Sequence, residues 1–188
     1  MNTFFKSIWF RCISVLLVLA VVLGGTLAIL NDVLYVTSEE RTGRAIKKIY
    51  GTDKEFNIVL DVDNGQVAIE NEYGKINKIY TIGSDYLFQS IGYNGYKNGT
   101  ITLWIQVCGD SIEKVILESY DKQTLMSKLD GNFYDKFLID VTDAYKNGQF
   151  FTPTDNSSVN YNPISGATKS ANAGCNAVNC VIKYLGGK

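Results

Sequence analysis

The residues best suited to chemistry lie near the C-terminus, in "NPISGATKSANAGCNAVNCVIKYL". Ser165, Gly166, Ala167 and Thr168 form a small-residue turn that leads into a helical pattern. Gly166 lets the backbone approach a ligand closely. Free N–H groups at a helix start favour an anion such as a phosphate. Ser165 and Thr168 add hydroxyls, and Thr168 offers an oxygen that can accept an ester. The same residues also suit an ordinary helix start capped by Thr168 or Ser170. Local chemistry alone leaves both readings open.

Other chemistries find little support. The chain has no histidine, which removes Ser-His-Asp and Cys-His catalysis and histidine metal ligands. Its cysteines, Cys12, Cys108, Cys175 and Cys180, contain no C-x-x-C pair, so zinc and iron–sulfur sites lack the spacing they need. On a helix Cys175 and Cys180 point about 140° apart, and they read as small apolar residues. Neither a phosphate-binding loop nor a dinucleotide glycine pattern occurs, and no acid–base pair stands out. No catalytic residue and no metal ligand is assigned. A net charge of −1 without a basic block gives no reason to expect nucleic acid as a partner.

The elements that position the turn follow from patterning. Residues 12–30 carry no charge and are long enough to cross a bilayer as a helix. Lys6 and Arg11 precede them, whereas Asp32, Glu39 and Glu40 follow, which predicts a cytoplasmic N-terminus. The apolar run is longer than that of a signal peptide and lacks an A-x-A site, so the pattern predicts an uncleaved anchor. Residues 1–36 are expected to form the cytoplasmic N-terminus and transmembrane anchor. Residues 37–188 are expected to form an extracytoplasmic domain.

Within that domain "TSEERTGRAIKKIYG" predicts a helix, with Ala45, Ile46 and Ile49 on one side and Gly51 after its end. Short alternating runs follow, "FNIVLDV", "QVAIENEYG", "KINKIYTIG", "YLFQSIGYNGY", "TITLWIQVCG" and "SIEKVILESY", which read as strands. Asn64-Gly65 and Asn98-Gly99 are hairpin signals. Residues 141–162 read as a polar loop with one short strand. The last helix is expected to begin near Ser170, with Ala173, Ala177, Val178, Val181, Ile182 and Leu185 at helical spacing. The expected fold is α+β, an antiparallel sheet flanked by helices, with one N-terminal transmembrane helix.

"ISGATKS" resembles the S-G-A-T flavinylation motif of the FMN-binding domain family. That family includes the G subunit of the Rnf ferredoxin:NAD oxidoreductase and the C subunit of the sodium-translocating NADH:quinone reductase. "SIGYNGYKNGTITLWIQVCGDSIEKVILES" is similar to a family segment in which a Gly-Tyr-x-Gly turn precedes a hairpin. "FYDKF" is similar to its paired-Phe segment. The anchor, the helix after it and the total length also resemble the Rnf subunit. The resemblance implies FMN joined through its phosphate to Thr168 by a separate flavin transferase that uses FAD. Ser165, Gly166 and Ala167 would surround the phosphate. Tyr93 and Tyr96 have two readings, contact with the flavin ring or plain packing, and an aromatic near a turn is more often plain packing. Where the family has Asp six residues before the acceptor, this chain has Asn162. Where the family has Glu-Thr-Pro-Gly-Leu-Gly, it has Gln123-Thr124-Leu125-Met126, and Thr124 would hydrogen-bond the flavin. The implied protein is an electron-transfer subunit that works with other membrane subunits of an Rnf-type complex, on which NADH oxidation would occur. A free-standing flavinylated surface protein, and an anchored binding module without cofactor, are the other readings.

Overall fold

The computed structural model describes residues 8–34, 37–129, 133–152 and 167–187. The chain divides into two compact units, Met1–Arg41 and Thr42–Lys188.

In the first unit helix α1 runs over Ile8–Leu34. Its apolar stretch Cys12–Leu30 has 19 residues, a rise of about 29 Å at 1.5 Å per residue. That is close to the thickness of a bilayer's hydrocarbon core. Leu16, Leu23 and Leu27 are all exposed. The helix is thus long and apolar enough to cross a membrane. Helix α2, Ser38–Tyr50, spans the boundary between the units. Thr37 Oγ1 accepts from the Glu40 N–H at 3.2 Å, Glu39 and Glu40 occupy the first turn, and Lys47 and Lys48 occupy the last. This charge order suits the helix dipole. Gly51, at φ 76°, ends the helix, and its N–H returns to Lys47 O at 2.9 Å.

The second unit is built on a six-stranded antiparallel sheet. Its strands are β1 (Asn57–Asp61), β2 (Ile69–Asn71), β3 (Gly74–Ile82), β4 (Asp85–Gly92), β5 (Ile101–Cys108) and β6 (Ser111–Tyr120). The order is β1-β3-β4-β5-β6, with β2 also on β3. The α+β class therefore holds. The Asn64-Gly65 hairpin does not form between partners. Strands β1 and β2 both pair with β3 rather than with each other. Asp61 Oδ1 accepts from the Asp63 N–H at 3.0 Å, so a 3-10 turn over Val62–Asn64 forms instead, closed by Gly65 at φ 86°.

Side chains alternate between two cores, as period-2 strands must. One face holds Tyr80, Ile82, Leu87 and Trp104, covered by Ala45, Ile46 and Ile49 of α2. Beneath α2, Tyr80 donates to Asp61 at 2.7 Å. Lys78, 3.4 Å from Asp61 and 2.6 Å from Asp63, satisfies the charges there. The other face holds Ile76, Phe88, Ile101, Leu103 and Ile105, covered by helices α3 (Val141–Lys146) and α4 (Thr168–Gly186). Helix α3 replaces the expected loop over residues 141–146. Asp140 starts it by accepting from the Asp143 N–H at 2.8 Å, a side-chain cap inside a run too short and polar to show a helical period.

Helix α4 is the central element of that core. Its residues from Ala173 to Ile182 are all buried. Small side chains allow this, because the helix backbone lies directly on β4. A β-carbon at Gly92 would collide with Ala173 O and Ala177 N. The neighbouring Ser90 Oγ donates to Ala177 O at 2.7 Å. Cys175 and Cys180 are buried and free, as small apolar residues would be. Burial pushes the Cys180 thiol up to about 11 and raises that of Cys175 as well, so neither is a ready nucleophile.

Candidate functional site

Helix α4 starts at Thr168, two residues before the expected Ser170. Neither Thr168 nor Ser170 caps it. The cap position is Ala167, which makes no side-chain bond. Ala167 is buried, and its carbonyl accepts from the Ala171 N–H at 2.8 Å. Ser170 is turned away from the helix start and donates to Thr124 O at 3.3 Å. The half-buried Thr168 hydroxyl is therefore not used in capping. Ser165, Gly166 and Asn162 lie outside the described residues.

A cleft of about 520 Å³ opens at this helix start, within the usual range for ligand pockets. Thr168, Lys169 and Asn172 form its α4 side, and Asn94, Gly95 and Asn98 face them from the β4–β5 connection. Among the described lining residues Lys169 is the charged one, and no carboxylate joins it. A cation, three amides and first-turn N–H groups make this a donor-rich surface suited to an anionic ligand with polar edges.

Two wall residues, Asn94 and Asn98, hold a conformation that residues other than glycine rarely adopt. Among the described residues, five non-glycine residues have left-handed φ: Asn94 at 63°, Lys97 at 51°, Asn98 at 56°, Lys122 at 54° and Leu125 at 58°. All five lie in two segments, residues 93–100 and 121–125. Such backbone persists only where the surroundings over-determine it. Here the surroundings are amides. Asn172 Nδ2 donates to Asn94 O at 3.0 Å, and Asn176 Nδ2 donates to Tyr93 O at 2.9 Å. One turn on, Asn179 accepts from the Phe151 N–H and donates to Phe151 O, both at 2.8 Å. The three asparagines follow i, i+4, i+7 spacing and form one stripe along α4. Sequence reasoning passed over them, although three asparagines at that spacing in an otherwise apolar helix were a readable signal.

Thr168, Ala167 and Thr124 are thus brought to one place. Thr124 takes part through its carbonyl, which accepts from Ser170, while its side chain is exposed and does not line the cleft. Tyr93 and Tyr96 do not line it either. The Tyr93 hydroxyl donates to Glu70 at 3.1 Å; burial, then that carboxylate, raises its pKa. Tyr96 lies under Lys97, whose Nζ is 5.4 Å from the ring centre. Asn98-Gly99 is a turn in which Asn98 rather than the glycine takes the left-handed position, since Gly99 is extended at φ −79°. Set against family models, curated proteins and solved structures, the chain gives no match.

Proposed function

We propose that this chain is a membrane-anchored carrier of covalent FMN, attached through its phosphate to the Thr168 hydroxyl by a separate flavin transferase. The observation that carries the reading is convergence. Two segments far apart in sequence, 94–98 and 168–172, face each other across one donor-rich cleft, a third, 121–125, is bonded to both, and segments 93–100 and 121–125 hold every left-handed non-glycine residue described. Left-handed backbone at non-glycine residues clusters at functional sites, and Asn94 and Asn98 bring it to this cleft. The residues present suit the group. Thr168 supplies an oxygen that the helix does not use for capping, and Lys169 with the first-turn N–H groups suits a phosphodiester anion. Asn94, Asn98 and Asn172 supply two-faced amides to a ring with both donors and acceptors. Bound there, FMN would supply the redox chemistry, and the protein's part would be to hold and tune it.

Helix α1 then anchors the carrier, with its N-terminus in the cytoplasm and residues 37–188 outside. In that position the chain serves as an electron-transfer subunit among the membrane subunits of an Rnf-type complex.

The test is intact mass of the full chain after co-expression with a flavin transferase. Wild type should gain one FMN less one water, and Thr168→Val should gain nothing. Because the Thr168 hydroxyl makes no cap, the variant should keep its helix content by far-ultraviolet circular dichroism. An unmodified wild type, or a modified Thr168→Val, overturns the assignment.

A further inference from the structure

The cleft wall 93–100 is joined to the other left-handed segment, 121–125, by one buried side chain. Gln123 is 8% exposed and sits between them. Its Oε1 accepts from the Tyr96 N–H at 3.0 Å. Its Nε2 donates to Asp121 O at 2.8 Å and reaches Tyr96 O at 3.4 Å. One amide thus uses both ends, acceptor toward one segment and donor toward both.

The glycines around it fit this role. Gly95 and Gly99 have no left-handed φ, so conformational freedom does not explain them. Space does. A β-carbon at Gly95 would lie 2.6 Å from Gln123 Nε2, and one at Gly99 would collide with Asp121 O and with the same amide. The Gln123 amide is packed against two bare α-carbons. Gly95 lines the cleft, and its neighbour Asn94 is the left-handed residue facing α4.

We propose that Gln123 is a positioning residue of this site, a neutral amide key that fixes the 93–100 wall of the cleft and so fixes how a flavin lies against it. This rests on the reading that Thr168 carries FMN. Neutrality is the point of the choice. A carboxylate in the same place would still accept from Tyr96 N–H but would confront two carbonyl oxygens with no proton to offer. Protonated, it would regain one donor.

The test uses the full chain co-expressed with a flavin transferase, as wild type, Q123E and Q123M. Intact mass is read first, followed by visible circular dichroism of the attached flavin, which reports an ordered asymmetric surrounding for the ring. Wild type should give a signal that does not change between about pH 5 and about pH 8, because an amide does not titrate. Q123M should carry FMN and lose most of the signal. Q123E should lose it at the higher pH and regain it at the lower, since burial and facing carbonyls raise a carboxyl pKa. A loaded Q123M and Q123E with wild-type signals at both pH values overturn the inference and leave the Thr168 reading intact. An unmodified wild type overturns both. Variants that fail to fold at either pH assign Gln123 to core packing, which also overturns it.

Discussion

The two ends of the sheet solve the same problem, reversing the chain, in different ways. At one end β3 passes to β4 through Gly83-Ser84 and β5 passes to β6 through Gly109-Asp110. Each turn puts glycine in its left-handed position, Gly83 at φ 63° and Gly109 at φ 58°, as a tight hairpin asks. Nothing crowds either α-carbon. At the other end β4 passes to β5 through residues 93–100. There the left-handed positions go to Asn94, Lys97 and Asn98, while Gly95 and Gly99 are present for close approach. Glycine buys backbone freedom at the first end and room for a neighbour at the second. The end with the misplaced strain is the end with the cleft.

Substitutions that add one carbon separate these two uses of glycine. The largest effect is expected at Gly92→Ala, where the new carbon meets the α4 backbone. Backbone cannot step aside as a side chain can, so the cost should be about 3 kcal/mol, the upper part of the range for overpacking. Gly99→Ala should cost about 2 kcal/mol for the same reason, and Gly99→Asn should be no better. Gly109→Ala should cost about 1 kcal/mol from its left-handed φ alone, and Gly109→Asn should recover much of it because asparagine tolerates that region. Urea denaturation of the detergent-solubilised chain measures all five. Equal costs at Gly99 and Gly109, or rescue of Gly99 by asparagine, would erase the distinction.

Asn179→Leu sharpens the comparison along α4. The substitution leaves the Phe151 N–H and C=O without their partner in a partly buried place. An unsatisfied buried group costs about 1–3 kcal/mol, and about 2 kcal/mol is expected from the same denaturation experiment. Phe151 adjoins Thr152, which also lines the cleft. Amide exchange at residues 149–152 should therefore speed up more than exchange in β5.

What could be read in advance follows from how local each determinant is. The strands were legible because alternation is a two-residue pattern, and α2 because its acidic start, apolar face and terminal glycine are all local. Two local signals misled. Asn64-Gly65 makes a turn, but the edge of β3 is long enough to accept both flanking strands. Thr168 and Ser170 look like caps, but Ser170 is claimed by Thr124 O across the fold. The site was legible only as a chemical suggestion at Thr168. Its walls were not, because Asn172 holds the Asn94 carbonyl and Gln123 holds the Tyr96 backbone, each far away in sequence. A glycine needed for space looks the same on paper as one needed for φ.

The smallest expected effect belongs to the tight-turn end. Asp85 closes the β3–β4 hairpin, and it accepts from Gln106 at 2.8 Å and from the Tyr50 hydroxyl at 3.1 Å. Burial pushes its carboxyl up, but the hydrogen bonds from Gln106, Cys108, Tyr50 and Ser84 outweigh burial and hold it below the ordinary value. A carboxyl depressed by folding stabilises the fold above its unfolded pKa, and this contribution is lost as pH falls through the folded pKa. Asp85→Asn should therefore show a flatter acid limb than wild type when stability is followed by urea denaturation at descending pH. Tyr50 gives the complementary reading on the alkaline side. Burial first, then its bond to Asp85 and the charge there, raise its pKa. Removing the charge should bring phenolate formation, followed by ultraviolet absorbance, to lower pH. A Tyr50 titration unmoved in Asp85→Asn would leave burial as its main cause and would detach Tyr50 from the Asp85 charge. The tight-turn end would then be a purely steric construction, and the contrast with the donor-rich cleft would be sharper.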